Sequence, residues 1–307
     1  KQMVTQKGDN TYVIGIKGNF DDAQTGVKNI FSDKELEKVM NDAGFQFSSA
    51  NSINIGRLVP QIVYYVYAYT RLLADGEIKA GDKINAVVPT GNFGNILAAF
   101  YAKNMGLPIN KLICASNENK VLYDFFTTGE YDRNREFVLT TSPSMDILIS
   151  SNLERFLYDL TGCDDKLVSE WMKELNTNGS YEVSADVKAK MQEMFTAGCC
   201  DDAETMATIK KCASEYDYVI DTHTAVAKSV YDKYVAQTGD TTKTIIASTA
   251  SPFKFNQSVL IALEDHNAVV GKDEFTLLKE LSEKSNMQIP KSLYELKDKS
   301  VVFDLVC

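Results

Sequence analysis

The sequence lacks the features that mark membrane and nucleic-acid-binding proteins. No apolar stretch reaches the roughly 18 to 20 residues needed to span a bilayer, and the start, Lys1 to Val4, has no signal-peptide core. No basic run is present, and the formal net charge of −10 repels polyanions. We therefore expect no membrane and no nucleic acid among the partners.

The sequence also lacks the motifs of hydrolases and metalloenzymes. Neither G-x-S-x-G nor a Ser/His/Asp set is visible, and no H-E-x-x-H or carboxylate-rich cluster occurs, so we predict no metal site. Of two histidines, His266 sits in a charged turn and is predicted at the surface. His223 follows Asp221 at the start of a predicted helix, where helix capping is favoured over catalysis.

Cysteine is sparse and scattered. The six cysteines form no C-x-x-C pair and no short Cys/His cluster, which argues against structural zinc. Their scatter is typical of reduced thiols in a cytosolic protein, so we expect a cytoplasmic location. A bridge between the neighbours Cys199 and Cys200 would be strained, and we predict none.

The composition that remains is that of a globular protein. Hydrophobic residues make up 44% of the sequence and charged residues 24%, which is ordinary for a soluble globular protein. The length of 307 residues suggests one large domain or two moderate ones. The pattern of apolar segments predicts an α/β fold with an open, mostly parallel sheet flanked by helices. The predicted strands include 12–16, 84–88, 112–115, 218–220 and 244–247, and residues 145–215 are predicted to be a largely helical insertion.

The stretch Val87 to Asn95 organises this prediction. An apolar run breaks at Pro89 into a loop with Gly91 and Gly94, and residues 96–102 then have the pattern of a helix. Glycine lets the backbone come close to a ligand, and the first N–H groups of a helix attract anions. The loop is either an ordinary strand-to-helix turn or a phosphate cradle, and the glycine spacing alone favours the former.

A second polar segment, Asn51-Ser52-Ile53-Asn54-Ile55-Gly56-Arg57, precedes a helix predicted over residues 58–74, with Pro60 in its first turns or at a kink. These side chains could serve only as helix caps. Two asparagines, a serine and an arginine in seven residues could equally hold an anionic, hydrogen-bonding ligand. The residues alone leave both interpretations open.

Four motifs, in order along nearly the whole chain, resemble threonine synthases. They are residues 18–24 (GNFDDAQ), 51–57 (NSINIGR), 88–95 (VPTGNFGN) and 248–255 (STASPFKF). That family belongs to the pyridoxal-phosphate enzymes of fold type II, with a tryptophan-synthase-β-like fold. The resemblance implies conversion of O-phospho-L-homoserine and water to L-threonine and phosphate.

The resemblance also implies roles for individual residues. The implied cofactor-binding residues are Gly91, Asn92, Phe93, Gly94, Asn95 and Thr249. Among them, Thr249 is implied to lie beside the ring nitrogen of pyridoxal phosphate. The implied candidates for the carboxylate and phosphate of the substrate are Asn51, Ser52, Asn54 and Arg57. A neutral hydroxyl at Thr249 would make the cofactor ring a milder electron sink than a carboxylate would.

The chain departs from the family pattern in two respects. Ser251 and Phe253 stand where many members have His and Ala. The F-K-D-like motif with the Schiff-base lysine does not occur, and Lys254 matches a different position, so no catalytic lysine is assigned. We expect residues 1–47 to end a smaller cofactor-lysine domain that begins upstream, and residues 48–307 to form the large domain.

Two alternative functions stay open. A dehydratase or sulfhydrylase of the same fold type would use the same phosphate loop, although the segment from Asn51 to Arg57 argues against it. A non-catalytic phosphate-binding module is consistent with the missing lysine motif. The sequence does not predict an oligomeric state.

Overall fold

The computed structural model describes residues 2–18, 20–304 and 306. The helices are α1 Phe20–Ser32, α2 Lys34–Asp42, α3 Ile55–Leu58, α4 Ile62–Ala74, α5 Gly94–Asn104, α6 Val121–Thr128, α7 Leu153–Leu160, α8 Asp165–Asn178, α9 Ala185–Met194, α10 Asp202–Tyr216, α11 Thr222–Thr238, α12 Asn256–Leu263, α13 Glu274–Ser285 and α14 Lys291–Tyr294. The strands are β1 Ile84–Pro89, β2 Ile109–Ser116, β3 Glu130–Asp132, β4 Ser180–Glu182, β5 Phe195–Cys199 and β6 Thr244–Ile246.

Four parallel strands form the central sheet in the order β5-β2-β1-β6. Strand β1 is internal and pairs with β2, where Val88 lies opposite Cys114, and with β6, where Val87 lies opposite Ile246. A separate antiparallel pair joins β3 and β4. Because the four strands run in one direction, their carboxyl ends meet at one edge of the sheet, where open α/β folds collect ligands. The predicted fold class is confirmed.

Both faces of the sheet are covered by helices. Ala86 and Val88 of β1 belong to the main hydrophobic core with α5 and α6, whereas Val87 packs with Val226 and Val230 of α11 on the opposite face. This alternation follows from the two-residue period of a strand. Since β1 is buried along its whole length, its apolar run, in which Asn85 is the one polar residue, predicted it well.

A cluster of phenylalanines fixes the glycine loop to the main core. Phe93, from the loop itself, packs against Phe126, Phe156 and Phe195, with ring centroids 5.7 to 6.1 Å apart. Phe93 is 1% exposed. Aromatic pairs of this kind bury large apolar areas and add about 0.5–1.5 kcal/mol beyond them. The loop therefore has a rigid base.

A hydrogen-bonded carboxylate ties β1 to the turn before β6. The buried amide of Asn85 donates to Asp240 at 2.8 Å, and the Tyr234 hydroxyl donates to the same carboxylate at 2.6 Å. The backbone N–H of Thr242 donates at 2.9 Å. Hydrogen bonds from Thr242, Tyr234 and Asn85 hold the pKa of Asp240 well below its ordinary value.

The strand predicted at residues 12–16 is wrong. Within the described residues this segment is irregular and makes one isolated bridge, between Gly15 and Val306. The side chains of Tyr12, Ile14 and Ile16 are exposed. A strand needs neighbours that satisfy its backbone groups, and the described residues provide no sheet at this position.

The stretch 145–215 is not purely helical, because β4 and β5 lie within it. Strand β5 pairs along its length with β2, so this part of the chain contributes an edge strand to the central sheet. The strand predicted at 218–220 is also wrong. Asp217 adopts a left-handed conformation that ends α10, and the buried side chains of Val219 and Ile220 pack in irregular backbone.

Two further predictions concern cysteines and membranes. The described cysteines are all free thiols, whereas Cys307 lies outside the described residues. Among the described helices, none is both long and apolar enough to cross a bilayer.

Candidate functional site

The loop after β1 makes a tight turn, but the left-handed residue is Phe93 rather than either glycine. Phe93 has a φ of 63° and is the N-cap of α5, without a side-chain hydrogen bond to the helix. A phenyl ring cannot accept from the first N–H groups of α5, so these donors are uncapped. Together with the helix dipole they form an anion-attracting end at the carboxyl edge of the sheet.

The two glycines are required by close approach. A Cβ at Gly91 would lie 3.3 Å from the Met145 Cα and would collide with the Ser144 carbonyl oxygen. A Cβ at Gly94 would lie 2.7 Å from the Ser52 Cβ and closer still to its hydroxyl oxygen. Real Cβ atoms do not come this near, so only glycine fits at both positions.

Side chains from the segment before α7 hold the loop in place. The Ser150 hydroxyl donates to the Gly91 carbonyl at 2.8 Å, and the Asn152 side-chain amide donates to the Asn92 carbonyl at 2.7 Å. The Ser151 hydroxyl donates to the Asn92 side-chain oxygen at 3.2 Å. Sequence reasoning missed these residues, because a run of Ser and Asn far along the chain carries no local sign of its partner.

Asn95 and Thr249 meet at one cleft, as the resemblance implies for two cofactor-binding residues. The cleft has a volume of about 380 Å³ and is lined by both residues together with Tyr64 and Tyr65 of α4. The Tyr65 hydroxyl donates to the Asn95 side-chain oxygen. Burial raises the pKa of Tyr65 far above its ordinary value, so it stays a neutral donor. Asn95 is thereby fixed in orientation.

The polar segment before α3 is built largely from its own caps. The Asn54 side-chain oxygen accepts from the Gly56 N–H at 2.9 Å, which makes Asn54 the N-cap of α3. The Asn51 side-chain oxygen accepts from the Ile53 N–H at 3.0 Å. Both asparagines thus have structural partners here. Whether they also contact a substrate stays a prediction.

Ser52 connects this segment to the glycine loop. Its hydroxyl oxygen accepts from the Asn152 side-chain amide at 3.1 Å, and its carbonyl accepts from the Arg155 guanidinium at 2.8 Å. Arg155 also donates to the Ile53 carbonyl and to the Asn152 side-chain oxygen. Arg155 is a functional candidate that the sequence did not indicate. It holds the predicted substrate segment and is linked to the predicted cofactor loop through Asn152, which donates to the Asn92 carbonyl.

The remaining predicted residues take no part in the contacts described above. Arg57 is exposed on α3, and its proposed role stays a prediction. The Ser251 hydroxyl oxygen accepts from the Phe253 N–H at 3.3 Å, and the Phe253 ring is buried in the core beneath α12. Lys254 is exposed. Asn19 of the first motif lies outside the described residues.

The residues present fit the phosphate and ring of pyridoxal phosphate. The start of α5, which no side chain caps, suits a phosphate group, and a cleft of about 380 Å³ lies within the range of small-ligand sites. Thr249 supplies a neutral hydroxyl in that cleft. Across the described part of the chain, no group of His, Cys, Asp and Glu residues could hold a metal ion.

Comparison with known sequences finds relatives over nearly the whole chain. A family model described as "Threonine synthase, C-terminal" matches residues 224–301. Threonine synthase of Saccharomyces cerevisiae is 37% identical over 295 residues, which cover 92% of this chain and 55% of the yeast protein. Human threonine synthase-like 1 is 41% identical over 290 residues, which cover 94% of this chain and 37% of the human protein.

Solved structures agree with the sequence matches. The pyridoxal-phosphate-bound threonine synthase of Brucella melitensis superposes with a TM-score of 0.80 at 34% identity, covering 99% of this chain and 58% of that chain. Yeast threonine synthase gives the same values. The chain therefore spans little more than half the length of these enzymes. The motifs, the fold and these matches show that the chain is a threonine synthase-like protein of the pyridoxal-phosphate fold type II.

Proposed function

We propose that this chain supplies the phosphate cradle and the substrate-binding side of a threonine synthase, which converts O-phospho-L-homoserine and water to L-threonine and phosphate. The observation that carries the proposal is the uncapped start of α5, in a loop that packs closely on Ser144 and Ser52 at its two glycines and that Ser150 and Asn152 hold in place. This arrangement presents backbone donors at fixed positions. A phosphate ester is the ligand that such donors bind best.

Each residue of the site has a distinct task in this proposal. Pyridoxal phosphate, when bound, supplies the electron sink for bond changes at the substrate's α and β carbons. Gly94 and Asn95 offer backbone N–H groups to its phosphate, and Thr249 offers a hydroxyl to its ring nitrogen. Arg57, at the end of the segment that Arg155 anchors, would bind a carboxylate or phosphate of the substrate.

We further propose that residues 1–47 belong to a smaller domain that carries the cofactor lysine. Large apolar side chains are exposed throughout this part of the chain, namely Met3, Tyr12, Ile14, Ile16, Val27, Ile30, Val39 and Phe45. Such a concentration of exposed apolar surface is typical of a segment that packs against another part of the protein. The exposed face of α4, with Val63 and Tyr67, supports the same proposal.

A glycine substitution tests the phosphate cradle. Gly94→Val would place a branched side chain against Ser52, and we expect it to weaken binding of pyridoxal phosphate by more than roughly tenfold. Binding is measured by equilibrium dialysis, which needs no covalent attachment. Gly26→Val is the matched control, because a Cβ at Gly26 meets nothing within 4 Å. Equal affinities for wild type and Gly94→Val would disprove the cradle.

A second candidate function is phosphate-ester binding without threonine synthesis. It is favoured by the relatives named threonine synthase-like 1, because the human protein of that name is 41% identical to this chain and yeast threonine synthase is 37% identical. We propose that the 307-residue chain alone makes no threonine, because the resemblance assigns none of its lysines to the cofactor.

Phosphate release from O-phospho-L-homoserine, with added pyridoxal phosphate, tests this proposal. We expect none from the chain alone. Threonine formation, together with a borohydride-reducible adduct on one lysine, would show that the chain carries its own catalytic amine. A longer protein that contains the chain and the family's lysine motif, yet releases no phosphate, would favour the binding function.

A further inference from the structure

A buried Asp-His pair lies behind the proposed cofactor site. Asp221 is 0% exposed and is the N-cap of α11, with its Oδ1 accepting from the His223 N–H at 2.9 Å. The helix-capping prediction for this motif is thus confirmed. Capping uses only the backbone of His223, however, and leaves its imidazole ring, which is 3% exposed, without an assigned task.

The imidazole reaches the turn that packs on the glycine loop. Its Nε2 accepts a hydrogen bond from the Ser144 N–H at 3.2 Å, and the Ser144 carbonyl is the group that a Cβ at Gly91 would strike. A ring nitrogen that accepts from an amide carries no proton, so the ring proton is on Nδ1. Nδ1 lies 3.3 Å from Asp221 Oδ1 and 3.3 Å from the Thr222 hydroxyl.

Asp221 is also linked to the other side of the site. Its Oδ2 accepts from the Thr224 hydroxyl, and the hydroxyls of Thr224 and Ser248 are 3.2 Å apart. Ser248 directly precedes Thr249, the residue proposed for the ring nitrogen. One carboxylate is therefore connected through short hydrogen-bonded paths to both the phosphate end and the ring end of the proposed site.

The surroundings of Asp221 favour its ionised form. Burial raises the pKa of Asp221, but hydrogen bonds from His223 and Thr224 outweigh burial and leave the pKa below its ordinary value. Asp221 is consequently ionised at neutral pH. The Phe255 ring packs on the imidazole with a centroid distance of 4.7 Å, which limits access of water to it.

We infer that His223 is a positioning residue for the phosphate cradle. Asp221 holds its imidazole in the Nδ1–H tautomer, and the free Nε2 fixes the turn at Ser144 against Gly91. This inference rests on the proposed function for its consequence, the affinity for pyridoxal phosphate. Its structural part concerns only residues of this chain and is tested without a cofactor.

Two substitutions separate the ring from the helix cap. His223→Leu removes the acceptor and retains the backbone N–H that Asp221 caps, whereas His223→Gln can place an amide oxygen near the position of Nε2. The control is His266→Leu, at the other histidine, which is exposed. The ¹⁵N spectrum of the two imidazoles gives the tautomer, hydrogen exchange of the Ser144 amide reports the turn, and equilibrium dialysis gives the affinity for pyridoxal phosphate.

We expect an unprotonated Nε2 in the wild type at neutral pH. Exchange of the Ser144 amide should be faster in His223→Leu and near the wild-type rate in His223→Gln. Affinity for pyridoxal phosphate should fall roughly three- to tenfold in the Leu variant and stay within about twofold in the Gln variant.

A protonated Nε2 in the wild type overturns the inference, whatever the variants do. Unchanged Ser144 exchange in His223→Leu also overturns it. If the Leu variant does not fold, the wild-type spectrum and the Gln variant decide. If the wild type binds no pyridoxal phosphate but exchange of the Ser144 amide is still faster in His223→Leu than in His223→Gln, the proposed function fails and the positioning role stands.

Discussion

The contact between Gly94 and Ser52 allows a sharp test of how the site is assembled. Gly94→Ala would place a Cβ 2.7 Å from the Ser52 Cβ, closer than any ordinary contact. Ser52 has little freedom to retreat, because Asn152 donates to its hydroxyl oxygen at 3.1 Å and Arg155 to its carbonyl at 2.8 Å. The added methyl group must therefore displace the whole segment that these two side chains hold.

The expected cost follows from opposing effects. Overpacking by one methyl group costs about 1–3 kcal/mol, and weakening a hydrogen bond to Ser52 adds about 0.5–1.5 kcal/mol. Replacing glycine by alanine in a helix regains about 0.5–1 kcal/mol. We expect Gly94→Ala to lower the free energy of unfolding by about 2 kcal/mol from the balance of these effects.

A double-mutant cycle isolates the contact. Ser52→Gly removes the side chain that the new Cβ strikes. The double variant Ser52→Gly/Gly94→Ala should therefore be about 1–2 kcal/mol more stable than the sum of the two single effects predicts. Urea unfolding is followed by the fluorescence of Trp171, the single tryptophan, which is 5% exposed. Gly26→Ala, in open space within α1, should stabilise the protein slightly. Additive effects at the two sites would refute this close contact between Gly94 and Ser52.

Two further predictions concern charged groups, Arg155 beside the segment that precedes α3 and Asp240 between β1 and the turn before β6. Arg155→Ala should lower the free energy of unfolding by about 1–3 kcal/mol, because it leaves the part-buried carbonyls of Ser52 and Ile53 without this donor. It should also speed hydrogen exchange at the Ile53 amide. Unchanged exchange would contradict the anchoring role. Hydrogen bonds from Thr242, Tyr234 and Asn85 lower the pKa of Asp240 in the folded state. This carboxylate therefore stabilises the protein above its unfolded pKa of about 3.9, and the stabilisation is lost as the pH falls through its folded pKa. Wild type should therefore lose more stability than Asp240→Asn when urea midpoints at pH 7 and pH 3 are compared, and equal losses would show that Asp240 has no such effect.

The parts of the site that lie within one stretch of chain were predictable. The apolar run of β1, the break at Pro89 and the helix pattern after Gly94 located the strand, the loop and α5 to within a few residues. The glycine spacing indicated close approach, although not the partner. The left-handed residue was not predictable, because the ring of Phe93, whose φ is 63°, packs among three phenylalanines from distant parts of the chain.

The parts of the site that depend on distant residues were not predictable. Asn152 and Arg155 hold segments some 60 and 100 positions earlier in the chain, and nothing local to them indicates those partners. Strand β5 was missed for a related reason. Its five residues lie between two helices, and only pairing with β2 makes them a strand. The predicted strand at 12–16 shows the converse, since a strand-like pattern without neighbours forms no sheet.

The way in which the cradle is held bears on the ligand that it can bind. The groups that fix the glycine loop are hydroxyls and side-chain amides from Ser150, Ser151 and Asn152, all of which donate to its carbonyl or side-chain oxygens. These contacts occupy oxygens of Gly91 and Asn92 and leave the backbone donors at the start of α5 for a ligand. A ligand there must therefore supply acceptors and negative charge. A phosphate dianion meets both requirements. Because the protein's net charge of −10 repels anions at long range, binding depends on these local donors rather than on the electrostatic field of the whole protein.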